Sequence, residues 1–435
     1  MQIDRHILRL ALPSVVSNIT VPLLGLIDLA IVGHLGSEHY IAAIAIGTTI
    51  FSMVYWLFAF LRMGTTAVIS QAYGADDHAT IRVELKRALL FALLIALVLL
   101  LMQQPLLALS LGILSPEAAV VPHVSTYYHI VVWGAPTTLV NYCLCGWYVG
   151  MHDTRRPMMM AIVQNLTNIV VSLLFVMLLG MGVAGVALGT LVGVYAGMVY
   201  GLLGLRGRGL FASCHHQDDW VQLRMVGRIK RFMTVSRDIF FRTLCIVAVT
   251  VYFTSAGSRQ GAMVLDANAL LMQLFVIFSY FTDGLANAGE ALAGASAGRG
   301  DECELRLVVR RLLLWGGGLA AAFACVYIIG AEGFLGLLTD QLGIIIEARR
   351  YLPWVWAVPF VGILAFVWDG VFIGMAYTRG MLLSMTIAAA TFFGVWFALQ
   401  TKMANHALWL AFDMYLLMRG LVQTILWLRR FRGRV

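Results

Sequence analysis

Acidic residues set inside apolar runs carry the chemistry of this sequence. Asp28 interrupts Leu23-Leu-Gly-Leu-Ile-Asp-Leu-Ala-Ile-Val, nearer the end of its run than the centre. A carboxylate midway through a lipid-spanning helix costs about 2.5–3.5 kcal/mol on insertion scales, so such a residue is by default a functional candidate. Apolar surroundings favour the neutral acid over the ion, which suits a group that takes up and releases a proton. Six residues earlier, Pro22 lacks the N–H of a regular helical turn, so a bend there would move a titratable side chain. The competing reading is a permanent ion pair, or an acid that snorkels to the surface.

Other polar sets accompany it. Gln164, Asn168 and Ser172 recur every fourth residue and share one helical face, with Asn165 beside them. Such a stripe either hydrogen-bonds a neighbouring acid or joins helices together. Farther along, Asp238 and Arg242 are four apart and are expected to pair within one helix. Arg237 and Arg242 also suit an anionic group. Asp283 and Glu290 lie seven apart on one face, and Asp369 stands in another apolar run. These acids read either as functional groups or as buried ion pairs between helices.

Enzyme and metal chemistry find no such support. The sequence has no phosphate-binding loop or His-Glu-x-x-His pattern. Its six cysteines lack paired ligand spacing and mostly fall in apolar runs, so neither disulfides nor a metal site is expected. The Cys214-His-His-Gln-Asp-Asp run reads as a solvated loop. The many methionines and phenylalanines suit an adaptable hydrophobic pocket or ordinary membrane packing. No cofactor is called for.

The elements that must position these residues are membrane helices. Of 435 residues, 61% are hydrophobic and 12% charged, against about 45–50% and about 25% in a soluble domain. Lipid must therefore be the solvent. Runs long enough to cross it fall at 8–32, 41–72, 87–111, 122–151, 157–179, 182–205, 229–256, 262–297, 306–330, 344–375, 380–401 and 405–428. The fold class is an all-α integral membrane protein of twelve transmembrane helices. The first helix follows Arg5 and Arg9 without a cleavage pattern and is expected to remain as an anchor.

Basic residues orient the chain. Twenty-two of the 30 Lys and Arg fall on the side holding both termini and four on the other, while Arg62, Arg237, Arg242 and Arg419 lie within spans. That asymmetry puts both termini in the cytoplasm. The net charge of +8 thus reflects topology and not nucleic acid.

Two segments repeat at a common offset of 224 residues. Leu111-Gly-Ile-Leu-Ser-Pro returns as Leu335-Gly-Leu-Leu-Thr-Asp, and Gly150-Met-His-Asp-Thr-Arg155 as Gly374-Met-Ala-Tyr-Thr-Arg379. Six helices per repeat give two parallel six-helix lobes, at 1–205 and 229–435, with a cytoplasmic linker at 206–228. Repeats of this kind hold substrate between them and alternate access by rocking. The offset pairs Asp369 with Cys145, so that acid is not a symmetric framework feature.

A family resemblance emerges from Leu12-Pro-Ser, Asn18-Ile-Thr-Val-Pro-Leu-Leu-Gly-Leu-Ile-Asp28 and Gly33-His-Leu-Gly. It continues in Phe60-Leu-Arg-Met-Gly-Thr-Thr, Gln71-Ala-Tyr-Gly-Ala and Gly182-Val-Ala-Gly-Val-Ala-Leu-Gly-Thr190. Ser236-Arg-Asp-Ile-Phe-Phe-Arg242, Asp369-Gly-Val-Phe-Ile-Gly374 and Asn405-His-Ala-Leu-Trp-Leu410 extend it over nearly the whole chain. Together these resemble the multidrug and toxic compound extrusion (MATE) transporters, and in particular their DinF branch. The resemblance implies a V-shaped pair of lobes in a bacterial inner membrane. It implies exchange of H⁺ or Na⁺ for amphiphilic, often cationic, compounds by a monomer.

It also implies a cation site in the first lobe. The family's first-helix Asp matches Asp28, its Asn matches Asn168 and its Thr matches Thr190. A second Asp of the family pattern falls on Ser172. One carboxylate fewer favours protons over sodium, with Asp28 as the titrating group. The family's NorM-type branch has an acid where Arg242 stands, which disfavours that branch's second-lobe coupling. A lipid or lipid-linked saccharide flippase of related fold is the alternative, kept open by Arg62, Arg237 and Arg242. A major-facilitator transporter is disfavoured, because Gly74-Ala-Asp-Asp-His-Ala-Thr lacks that group's Asp-Arg-Gly-rich loop.

Overall fold

Chain segments this apolar can satisfy their backbone polar groups in lipid only by helical hydrogen bonds or a closed barrel. The computed structural model describes residues 2–33, 38–206 and 226–431, and these are helical nearly throughout, with no strand among them. The helices are α1 (Gln2–Gly33), α2 (Glu38–Leu57), α3 (Phe60–Gly74), α4 (His78–Leu101), α5 (Gln103–Leu114), α6 (Val121–Val131), α7 (Ala135–Gly150), α8 (Arg155–Leu173) and α9 (Gly182–Arg206). After them come α10 (Val226–Ser258), α11 (Ala262–Arg299), α12 (Glu302–Leu338), α13 (Leu342–Arg349), α14 (Leu352–Gly374), α15 (Thr378–Met403) and α16 (Asn405–Phe431).

Several expected spans are built from more than one piece. The 41–72 run divides into α2 and α3 at Phe58 and Ala59. The 87–111 run bends by 68° between α4 and α5. A 3₁₀ turn at Val132–Gly134 separates α6 from α7, and the 344–375 run falls on α13 and α14. Among the described residues, eight helical stretches are long and apolar enough to cross a membrane, or nine if the bent pair counts as one. The three further expected runs coincide with α1, with α6 and α7, and with α16. The 38-residue α11 is about 57 Å long at 1.5 Å per residue, well beyond the ~30 Å hydrocarbon core.

Contacts divide the chain into two compact units. One is Val16–Met233; the other is Thr234–Val435 together with Met1–Val15. The beginning of α1 joins the second unit because Gly284 packs on it, with space for a side chain closed off by Val15 and the Ala11 carbonyl. Trp315 adds a hydrogen bond from its indole N–H to Asp4 at 3.2 Å.

The offset of 224 residues reappears in the internal geometry of each unit. Asp77 caps α4 by accepting from the Thr80 amide at 2.9 Å, and Asp301 caps α12 by accepting from Glu304 at 2.8 Å. Left-handed backbone occurs at Asp76 and again at Gly300, and at His152 and again at Ala376. A side chain on Gly146 would strike the Arg62 carbonyl, and one on Gly370 would strike that of Ala286. All four positions of that last contact obey the same offset. The repeat is therefore a repeat of helix packing.

Candidate functional site

Small residues on α9 create the first site. A Cβ on Gly193 would lie 2.7 Å from the Gln164 carbonyl oxygen and 3.0 Å from Asn168 Cβ. At Gly189 the space is already taken by Ser172. Without these glycines α8 could not approach so closely, in the manner of small-residue helix contacts in membranes. The approach turns the Gln164, Asn168 and Ser172 face onto α9. Just beyond Ser172 the helix widens into a π turn at Leu174–Leu178, a local irregularity common at functional sites.

Asp28 of α1 belongs to this polar group. It is 4% exposed, and its carboxyl lies against the Asn168 amide. Asn168 Nδ2 also donates to Thr190 Oγ1 at 3.1 Å, while Ser172 Oγ donates to Asn168 Oδ1 at 3.3 Å. Thr190 in turn donates to the Val186 carbonyl at 3.1 Å. Asn165 ties α8 to α1, donating to the Thr20 carbonyl at 2.8 Å. Asp28, Asn168, Ser172 and Thr190 are thus brought into one cluster.

Two features of the cluster bear on its chemistry. No guanidinium or ammonium group acts on the Asp28 carboxyl among the described residues, and its Oδ1 has no hydrogen-bond partner there. The buried Tyr127 phenol lies near both Asp28 and Thr190. Sequence spacing gave no sign of Tyr127, because α6 reaches the cluster only through tertiary packing. Pro22, the expected hinge, falls within α1 at a position whose side chain lies outside the described residues. The 207–225 segment, with the Cys214-His-His run, also lies outside them.

The second unit holds a different polar centre. Arg242 and Arg419 both donate Nη2 hydrogens to Asp369 Oδ2, and Gln423 Nε2 donates to Asp369 Oδ1 at 2.8 Å. All four residues are buried. Arg419 and Gln423 are four apart on α16, so one helical face delivers both. That spacing sets Gln423 one turn beyond an arginine inside a span.

The in-helix pair expected of Asp238 and Arg242 is corrected here. Arg242 reaches across to α14, while Asp238 is held by Arg237 at 2.9 Å and by the Thr378 hydroxyl at 3.0 Å. The neighbouring arginine and a threonine at the start of α15 compete successfully for that carboxylate. Of the two acids on α11, Glu290 is buried and Asp283 is exposed. The α16 residue Asp413, which no motif marked, is 3% exposed. Neither of its carboxyl oxygens has a hydrogen-bond partner among the described residues.

Comparison with known proteins bears on the whole chain. The family model MatE matches residues 13–174 and again 239–399, one match in each repeat. DNA damage-inducible protein F of Escherichia coli is 36% identical over 99% of this chain and 93% of its own length. A probable multidrug resistance protein NorM of Xylella fastidiosa is 27% identical over 88% of this chain and 82% of its own. Among solved structures, the Vibrio cholerae MATE transporter VcmN in its bent form superposes with a TM-score of 0.88 at 18% identity. That match covers 99% of this chain and 98% of VcmN. With both repeats matched by the family model and a relative aligned nearly end to end, this integral membrane chain belongs to the MatE family of multidrug and toxic compound extrusion transporters.

Proposed function

We propose that the protein is a proton-coupled exporter of amphiphilic, often cationic, small molecules, with Asp28 as the group that exchanges the proton. One observation carries this reading. Asp28 is buried with no countercharge acting on it among the described residues, so its charge state is not fixed by a permanent partner there. Proton binding cancels its charge, and proton loss makes it seek donors or water. Asn168, Thr190 and Tyr127 are the polar groups near enough to respond. A ligand or proton shifts a two-state transporter only through its different affinity for the two states. A carboxyl whose hydrogen bonds change between states provides such a difference.

Ser172 supports protons over sodium. A hard cation prefers several oxygen ligands with matching negative charge. Here Asp28 is the lone carboxylate of the cluster among the described residues, and the hydroxyl of Ser172 donates to Asn168. In this reading the protein acts as a monomer with both termini in the cytoplasm, as the Lys and Arg asymmetry supports.

The test is dye transport by purified protein in vesicles, with a pH gradient and a sodium gradient imposed separately. Transport is expected under the pH gradient alone and absent under sodium alone. Sodium-driven transport at uniform pH would replace the proton with sodium in this scheme. Reporter fusions at each terminus check the orientation.

A further inference from the structure

The arginine-rich end of the second unit carries a groove that the transport reading does not use. Its volume is about 340 Å³, and it is lined by Arg306, Val309, Arg310, Leu313 and Leu314 of α12 and by Trp427 of α16. The two arginines are one turn apart, and Leu313 and Leu314 follow on the next turn, about 6 Å deeper along the helix axis. The wall therefore runs from guanidinium to hydrocarbon in the direction a lipid would.

Aromatic contacts brace the charged end. The Arg306 guanidinium lies 5.4 Å from the centroid of Phe431, and the Phe431 and Trp427 rings lie 4.2 Å apart, tilted by 45°. Trp427 is backed by Trp368 at 5.2 Å. Among the described residues, the acid nearest the Arg306 guanidinium is Glu302, at a long 3.7 Å, and Arg310 is exposed. No acid pairs with Arg310 among the described residues. At the apolar end, Leu314 is 59% exposed on a helix that is itself a membrane span.

We propose that this groove binds an anionic glycerophospholipid. Arg306 and Arg310 hold its phosphodiester, the Trp427 ring packs on its glycerol region, and an acyl chain runs along Leu313 and Leu314. Basic pockets between transmembrane helices at the cytoplasmic side recognise anionic head groups in this way, and tryptophan favours the interfacial depth. Topology alone accounts for arginines at a helix end. The repeat equivalents Arg82 and Lys86 are also basic, but the tryptophan position becomes Leu203 there. A positive helix end needs no groove closed by a braced indole, whereas a lipid site does.

The experiment is retention of phosphatidylglycerol by the full-length protein, measured by native mass spectrometry after exchange into detergent with equal phosphatidylglycerol and phosphatidylethanolamine. Wild type is expected to keep phosphatidylglycerol preferentially. The Arg306→Gln, Arg310→Gln double variant should lose that preference by a factor on the order of ten or more, given the typical gain per basic residue at an anionic surface. Trp427→Leu, which keeps both charges, should weaken retention by a smaller factor. The control Arg82→Gln, Lys86→Gln should retain the wild-type preference. Undiminished retention in the Arg306, Arg310 double variant overturns the proposal, as does an equal loss in the control. Displacement of the lipid by millimolar inorganic phosphate would also overturn it, since the acyl contacts would then contribute nothing.

Discussion

The two repeats share a backbone plan and place their polar centres at different positions on it. The offset that aligns their caps and close glycine contacts puts Asp28 on Tyr252, Asn168 on Phe392 and Ser172 on Trp396. These three second-unit residues also meet. The Trp396 indole donates to the Tyr252 oxygen at 3.0 Å, and the Tyr252 and Phe392 rings lie 6.3 Å apart. In reverse, the Asp369 centre maps onto Cys145, with Asn18 in place of Arg242 and Tyr195 in place of Arg419. One repeat position thus holds an acid without a countercharge in the first unit and an aromatic contact in the second.

The two acids differ in what their removal leaves behind. Asp369 balances two buried guanidinium groups, so neutralising it takes the carboxylate they share from two cations in an apolar interior. Asp28 balances none among the described residues, so neutralising it strands no cation there. A group that must change charge during each cycle is better built like Asp28, and a group that must hold helices in register like Asp369.

The largest expected effect breaks function at the first centre. Asp28→Asn keeps the size and hydrogen-bonding capacity of the side chain and removes the exchangeable proton. Efflux driven by a pH gradient should fall to the level of empty vesicles, while the detergent-solubilised protein stays folded by thermal unfolding. Retained proton-driven efflux in that variant would remove the functional half of the comparison. The next effect is on stability at the second centre. Asp369→Asn takes from Arg242 and Arg419 the carboxylate they share and should cost about 3–5 kcal/mol, read from thermal or denaturant unfolding. If Asp369→Asn were as stable as wild type, the two acids could not be separated into mover and fastener.

A smaller loss is expected from the packing that assembles the first site. Gly193→Val places a branched side chain against the Gln164 carbonyl and Asn168 Cβ. Overpacking of this size costs about 1–3 kcal/mol. It should also lower proton-driven efflux, because α8 and Asn168 must move away from Thr190. Full activity in this variant would show that the α8–α9 spacing is not what holds the cluster together.

How far these centres were legible depends on the range of the interaction involved. The membrane class and the repeat were readable because hydropathy and a common offset are properties of the chain itself. The Asp28, Asn168 and Ser172 set was readable since two members share a helical face and the third is an acid in an apolar run. Thr190 came from family resemblance, and the Gly189 and Gly193 contacts that bring α9 up to α8 give it a physical place. Tyr127 was not readable, because nothing in α6 marks the position at which it meets Asp28. Asp238 and Arg242 misled for a related reason. Helical spacing makes two charges neighbours, but tertiary partners decide where each one goes. Asp369 held Arg242 more directly than its own helix did, with Arg419 and Gln423 arriving from α16 on the same face. The bend within the 87–111 run and the 3₁₀ turn within 122–151 were equally invisible to hydropathy, which averages over the turns where they occur.

The mildest prediction is the sharpest test of the comparison, because it repeats the Asp28 experiment at the equivalent position of the other unit. Tyr252→Phe removes one hydroxyl and leaves the buried Trp396 N–H without its acceptor. The rings keep their contacts, so the loss should be about 1 kcal/mol, that of one buried hydrogen bond. Efflux under a pH gradient should keep its wild-type rate and its wild-type dependence on external pH. A change in that dependence would mean that the aromatic contact takes part in proton exchange, and that both repeats retain a coupling site at the same position. An unchanged dependence, set beside the loss in Asp28→Asn, would assign coupling to one repeat position in one unit.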